Sequence, residues 1–282
     1  LGGMISDELL ISKEKVELSA SICKVDLLSE LVGEFPELQG VMGGYFAIAQ
    51  GFDKDLALAI SEQYLPTGSG SRVPKKPFSI ALSLADKIDT LVGFFGLNLV
   101  PTGSKDPYAL RRCAIALVRL IIENKIKIKL RSIINFSLTL YKEQGYEFDI
   151  TKVLKEINNF ILDRLKNFSK EKDIRIDIIE SSIISNDIDE LYNGYKKAEV
   201  LNKNIKKQIG QDVVGIYKRS SNILNSEINK NKIEISNSVD TGLFKSDFEK
   251  NLFKKIQETK KYFSNFGKNG NFEEGLIELY KF

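Results

Sequence analysis

The spacing of apolar side chains along the chain predicts amphipathic helices. Residues 79–95 carry apolar side chains at intervals of three and four, as one face of a helix requires. Residues 149–168 show the same pattern and begin with Asp149, a residue type common at helix N-caps. No sustained alternating stretch bounded by hairpin turns occurs. We therefore predict an all-α fold.

Other residues mark where helices begin. Asp106 followed by Pro107 suits a first turn, because aspartate accepts from free amides and proline has no amide proton to leave unpaired. Ser246 with Glu249 three residues later has the spacing of a capping box. These signals predict one helix from Pro107 to about residue 124 and another after Ser246.

The two parts of the chain differ in composition. All six prolines fall in the first 107 residues, so we expect long uninterrupted helices afterwards. Residues 125–131, KIKIKLR, alternate polar and apolar side chains as a strand would. The segment directly follows a predicted helix and has no neighbouring strand, so we predict no sheet there.

Composition excludes several kinds of chemistry. The 282 residues contain no histidine, which excludes Ser–His–Asp triads and histidine-ligated metals from this chain. Cys23 and Cys113 form no C-x-x-C pair, and we expect reduced thiols in a cytoplasmic protein. No stretch reaches the roughly twenty apolar residues that a membrane helix needs. We therefore predict no membrane span.

Charge is distributed unevenly along the chain. The formal net charge is only +3, but residues 1–62 carry 4 basic and 11 acidic side chains. Residues 105–131 carry 8 basic against 2 acidic side chains, and residues 196–219 carry 7 against 2. Such basic zones can follow a phosphate backbone, although a solvated helix face is the commoner cause.

The stretch 101–112, PTGSKDPYALRR, joins a loop to a helix N-terminus followed by two arginines. Loop amides, the helix dipole and guanidinium groups could converge on an anion there. The alternative is that Asp106 only caps the helix, and that Arg112, Arg119 and Glu123 form a surface row. The sequence leaves both interpretations open.

Two further motifs have structural alternatives. The glycine-rich segment 34–46 favours a tightly packed helix–loop corner over a binding loop. Asp86 and Asp89 are spaced to share a helix face and could meet a cation. Two carboxylates alone do not make a metal site, so a solvated or lysine-paired face involving Lys87 is the favoured interpretation.

An ordered set of motifs resembles a known family. The segments KVDLLSELVGEFPELQGVMGGYFA, QYLP, SLADKIDTLVGFFGL and PTGSKDPYALRR occur in this order, with looser matches in YKRSSNIL and GNFEEGLIELYKF. Together they resemble the β-subunit of bacterial glycyl-tRNA synthetase. The chain corresponds to part of the C-terminal half of that subunit, and we expect further chain after residue 282.

The resemblance implies a domain organisation. Residues 1–145 are similar to an HD-type helical domain, in which Asp86 stands at the position of a metal-binding aspartate. Because the chain has no histidine, this resemblance implies a degenerate site that holds no metal. Residues 146–186 are expected to be a helical connector. Residues 187–282 resemble a DALR-type anticodon-binding domain that lacks its final helices.

The resemblance also implies a function. In this family an α2β2 enzyme charges glycine tRNA, and the α-subunit uses ATP and magnesium. The β-subunit chain would then bind tRNA and the α-subunit, with no catalytic residue, metal or cofactor of its own. The alternatives are an HD-type metal-dependent phosphohydrolase and a scaffold that binds only the α-subunit. The residues carried over as tRNA contacts are Lys105, Arg111, Arg112, Arg119, Lys206, Lys207, Tyr217, Lys218 and Arg219.

Overall fold

The protein is all-α, as the sequence predicts. A computed structural model describes residues 1–183, 187–231, 239–269 and 271–281, and within these ranges it contains α-helices and short 3-10 turns but no strand. The α-helices are α1 (Gly2–Leu9), α2 (Lys13–Ile22), α3 (Glu30–Glu34), α4 (Val41–Ala49), α5 (Lys54–Glu62), α6 (Pro77–Gly96), α7 (Leu110–Glu123), α8 (Leu130–Glu143), α9 (Ile150–Glu171), α10 (Ile176–Ser182), α11 (Leu191–Asn204), α12 (Gln208–Asn231), α13 (Asp247–Asn269) and α14 (Phe272–Lys281).

The chain divides into two compact units. The first unit is Leu1–Tyr195 and the second is Lys196–Phe282. Residues 146–186, predicted as a connector, contain α9 and α10, and α9 packs against α6, α7 and α8 of the first unit. The HD-like and anticodon-binding assignments rest on resemblance rather than on compactness, so they stay predictions.

Helix α6 is the centre of the first unit. It packs against α1, α5, α7, α8 and α9. The predicted helix over residues 79–95 is confirmed, and its apolar stripe from Leu84 to Phe95 is buried. The predicted helix after Asp149 is confirmed as α9, whose first amides donate to the Asp149 carboxylate. Together, α6 and α9 contact α1, α5, α7, α8 and α10 of the first unit.

The second unit contains the predicted capping box. The Ser246 amide donates to Glu249 Oε2 at 2.8 Å, and the Glu249 amide donates to Ser246 Oγ at 3.3 Å. The last helix, α14, packs on α12 and α13. Among the helices described in the two units, none is both long and apolar enough to cross a membrane.

Candidate nucleic-acid interface

The loop before α7 is closed by its own side chains. Asp106 Oδ1 accepts from the Leu110 amide at 2.8 Å, and Oδ2 accepts from the Arg111 amide at 3.0 Å. Helix α7 begins at Leu110 rather than at Pro107, because Ala109 takes the left-handed conformation with φ 56° and interrupts the turn. Asp106 thus occupies the place at the helix N-terminus that an external anion would take.

The cations around this loop differ in their exposure. Lys105 and Arg112 are exposed, and no ion pair joins either to a carboxylate in the part of the chain that the structure describes. Arg111 is half-buried and donates to the carbonyl oxygen of Gly103. Lys105 and Arg112 therefore present charge to solvent, whereas Arg111 also braces the loop. Their contact with RNA stays a prediction.

Arg119 lies inside the first unit, with 6% of its surface exposed. Its Nε donates to Glu123 Oε1 at 2.7 Å, and its terminal nitrogens donate to the carbonyl oxygens of Gly68 and Ser71. The predicted surface row with Arg112 is therefore wrong at Arg119, because a loop from elsewhere in the chain covers the guanidinium group. This geometry favours a structural role, and its predicted contact with tRNA is untested.

The carboxylate of Asp86 is held between two ammonium groups. Lys24 Nζ lies 2.9 Å from Oδ1 and Lys87 Nζ lies 3.2 Å from Oδ2. Burial lowers the pKa of Lys24, but the charge of Asp86, the hydrogen bond to it and smaller effects of Tyr64 and Cys23 together raise that pKa above its ordinary value. Asp89 instead accepts from Tyr141 Oη at 3.2 Å. The lysine-paired interpretation therefore describes Asp86.

The potential metal ligands among the described residues do not converge. In residues 1–183, 187–231, 239–269 and 271–281, no three cysteine or carboxylate side chains are grouped so that they could hold a metal ion. Burial raises the pKa of the Cys23 thiol to about 11 and that of Cys113 to about 12. Both cysteines are free thiols. At neutral pH they are protonated, and a protonated thiol is a poor nucleophile and metal ligand.

The glycine-rich segment 34–46 forms a close-packed corner. Asp26 Oδ2 accepts from the amides of Gly40 and Gly43 at 2.6 and 3.1 Å, which fixes the start of α4. A Cβ atom on Gly44 would lie 2.8 Å from a backbone carbonyl oxygen of α5. The helices α4 and α5 touch where only glycine fits, so the structural interpretation of this segment holds.

In the second unit, the predicted contacts fall in two places. Lys206 and Lys207 lie in the turn before α12, while Tyr217, Lys218 and Arg219 lie in the middle of that helix. A rise of 1.5 Å per residue separates the two groups by roughly 15 Å. All five side chains are exposed, Tyr217 to 71%. The exposed ring of Tyr217 is accessible for stacking with an unpaired base.

A row of lysines outside the predicted tRNA contacts is also exposed. Lys125, Lys127 and Lys129 face solvent, whereas the intervening Ile126 and Ile128 are buried. No ion pair joins these lysines to a carboxylate among the described residues. The alternation in KIKIKLR was the signal that could have found them, because it separates a charged side from an apolar side without any sheet.

Comparison with known proteins identifies a family. A family model described as glycyl-tRNA synthetase beta subunit matches residues 1–184. A glycine–tRNA ligase beta subunit of Cereibacter sphaeroides is 38% identical over 239 residues, which cover 85% of this chain and 34% of that protein. Those of Rickettsia canadensis and Rhodospirillum centenum are 39% and 37% identical, and the matches cover 86% and 87% of this chain and 34% of each relative. The chain spans about a third of the length of these curated relatives.

Proposed function

This chain belongs to the glycyl-tRNA synthetase β-subunit family, and from that premise we propose that it is a tRNA-binding, non-catalytic part of the ligase. In this proposal it binds glycine tRNA in the cytoplasm and associates with an α-subunit in an α2β2 enzyme. The α-subunit holds the catalytic centre and uses ATP and magnesium. Residues 1–145 act as the HD-like domain and residues 187–282 contribute to anticodon binding.

The exposed cations carry this proposal. Lys105 and Arg112 on the first unit, and Lys218 and Arg219 on the second, lie at the surface without a carboxylate partner among the described residues. An ammonium or guanidinium group that is not already paired can neutralise a phosphate and release its counterion, which favours binding. Tyr217 adds an exposed aromatic ring, the kind of group on which an unpaired base stacks.

The Asp86 cluster supports the non-catalytic part of the proposal. A phosphohydrolase metal needs several oxygen or nitrogen ligands, and Asp86 is already neutralised by Lys24 and Lys87. The proposal predicts that the purified chain does not form glycyl-adenylate from glycine, ATP and magnesium. It also predicts no metal-dependent hydrolysis of nucleotide phosphates. Turnover in either assay would overturn the non-catalytic assignment.

Salt-dependent binding tests the RNA-binding part. The affinity for glycine tRNA is measured by filter binding between 50 and 300 mM salt for the unmodified chain and for a variant with Lys105→Gln and Arg112→Gln. The control variant carries Lys54→Gln and Lys155→Gln, two exposed lysines that form no ion pair within the described parts of the chain. We expect the slope of the logarithm of the binding constant against the logarithm of the salt concentration to be shallower for the first variant than for the control, by about 1.5–2. No binding by the unmodified chain, or equal slopes in both variants, would contradict the proposal.

A scaffold that binds only the α-subunit is the second candidate, and one observation favours it. Val25, Leu28, Tyr45 and Ile48 are largely exposed, Leu28 to 87%. Tyr45 and Ile48 also line an open groove of about 500 Å³ beside α5. Exposed apolar groups of this size are typical of protein interfaces. A chain that pulls down the α-subunit but shows no salt-dependent tRNA binding would establish this candidate.

A further inference from the structure

We propose that Lys125, Lys127 and Lys129, here called the lysine ridge, form a preformed contact surface for an RNA sugar–phosphate backbone. The inference rests on the proposed tRNA binding and assigns it a second surface on the first unit. The ridge occupies the connection between α7 and α8. Neither the resemblance nor the motif around residues 101–112 points to these three residues.

The backbone of this connection fixes which way the lysines face. Ile126 and Ile128 are 7% and 6% exposed and pack into the core, whereas the lysines between and beside them are exposed. From Ile126 to Lys129 the side chains alternate between the core and solvent, while Lys125 ends α7 in the left-handed region. The burial of the two isoleucines therefore leaves the three lysines on the solvent side of the connection.

Hydrogen bonds fix the backbone at both ends of the connection between α7 and α8. At its start, the Lys125 amide donates to the Ile122 carbonyl at 3.2 Å, and the Ile126 amide donates to the Ile121 carbonyl at 2.9 Å. This pair of bonds is a Schellman motif, which ends α7 in a defined geometry. At its end, the Arg131 amide donates to Asp189 Oδ1 at 2.7 Å. The row is thus ordered before any ligand binds, which lowers the entropic cost of binding.

The charges around the ridge reinforce it. The nearest acidic side chain along the chain, Glu123, is occupied by Arg119 at 2.7 Å. Lys75 Nζ donates to the Glu123 carbonyl oxygen at 3.3 Å and to Asn124 Oδ1 at 3.2 Å, which places another ammonium group at the start of the ridge. Lys76 is exposed beside it. The start of the ridge is therefore cationic, whereas at its end Asp189 accepts from the Arg131 amide and Asp187 pairs with the Arg131 side chain.

The chemistry of the ridge fits a polyanion better than a protein. Protein interfaces have apolar or aromatic centres and are depleted in lysine. Here every large apolar side chain from Leu117 to Ile134 is buried, so no exposed apolar group accompanies the lysines in this stretch. Lysine is a point charge that contacts phosphate without reading bases. The ridge should thus add affinity and orientation without selecting a nucleotide sequence.

Lys125 also stands in a conformation that favours glycine. Its φ is 58°, in the left-handed region where a side chain is strained. A glycine at this position would relieve the strain while ending α7 in the same way. The ridge therefore contains a lysine that the fold itself does not require.

A charge-matched comparison tests the ridge. The 282-residue chain with Lys125→Gln, Lys127→Gln and Lys129→Gln is compared with a control carrying Lys54→Gln, Lys155→Gln and Lys170→Gln. All six lysines are exposed and form no ion pair with a described residue, so both variants lose three charges from different places. We plot the logarithm of the binding constant for glycine tRNA against the logarithm of the salt concentration. For the ridge variant, we expect a slope shallower by about 2–3 than that of the unmodified chain. The control should retain the original slope.

A second variant separates binding from folding. Lys125→Gly should leave the melting temperature equal or higher, because it relieves the left-handed strain, while the affinity for glycine tRNA at low salt falls severalfold. If the unmodified chain binds tRNA but the ridge variant has the same slope as the control, the ridge is not a contact and the proposed function survives. If the unmodified chain does not bind tRNA, the proposed function and the ridge fall together.

Discussion

Replacing Arg119 by methionine separates a structural role from an RNA contact. Methionine keeps most of the apolar stem that packs in the first unit but removes the guanidinium group. The change deletes the ion pair with Glu123 at 2.7 Å and the two bonds that hold the carbonyl oxygens of Gly68 and Ser71. Because Arg119 is 6% exposed, its hydrogen bonds are shielded from water in the folded chain.

The expected cost follows from these three interactions. A hydrogen bond that involves a charged group contributes about 1.5–3 kcal/mol, but Gly68 and Ser71 are half-exposed and can be resolvated in the variant. We therefore expect a loss of about 3 kcal/mol in the free energy of unfolding of the first unit. For a unit of this size, that loss lowers the Tm by about 6–12 °C.

Thermal unfolding monitored by circular dichroism measures this loss, and Arg112→Met is the matched control. Arg112 lies on the same helix but is exposed and has no ion pair among the described residues, so its replacement should change stability by less than about 0.5 kcal/mol. A Tm for Arg119→Met within about 2 °C of the unmodified chain, together with a tenfold weaker affinity for glycine tRNA, would refute the structural interpretation and establish Arg119 as an RNA contact.

Further predictions concern the helix corner, the thiols and the last cap. Gly44→Ala should destabilise the chain by about 1–3 kcal/mol because its Cβ meets backbone of α5, whereas Gly33→Ala, with open space around it, should be neutral or stabilising in chemical denaturation. Cys23 and Cys113, whose thiol pKa values burial raises to about 11 and 12, should resist alkylation at pH 7.5 until the chain unfolds; rapid native labelling would contradict this. Backbone hydrogen bonds lower the pKa of Glu249, so its stabilising effect is present above the ordinary carboxyl pKa and is lost as pH falls through the lowered value. The stability difference between the unmodified chain and Glu249→Gln should accordingly shrink in acid, and a difference independent of pH would argue against the capping role.

Local patterns predicted the long helices well, because their signals lie within the helices themselves. Residues 79–95 carry an apolar period, the segment after Asp149 carries an apolar period and a start signal, and both are helices in the structure. The start of α7 was misplaced because Asp106 caps from four residues before Leu110, across a left-handed Ala109. The spacing of residues along the sequence does not show that Ala109 adopts the left-handed conformation and delays the start of the helix.

Side chains whose environment depends on distant segments were harder to predict. Arg119 follows the spacing of a surface residue, and only the loop around Ser71, 48 residues earlier in the chain, buries it. Tyr217 lies in the middle of α12, and the sequence alone does not show that its ring is 71% exposed. Asp86 could be recognised as a pair with Lys87, but its second partner, Lys24, comes from another helix end.

The alternation in the connection between α7 and α8 also restricts its length. Surface loops ordinarily accept insertions and deletions, because their side chains have no fixed partners. Here a single added residue before Ile126 would shift the period by one and turn ammonium groups toward the core and isoleucines toward water. Mutational scanning should therefore find this stretch permissive to substitution of its lysines in folding assays but intolerant of any change in residue count.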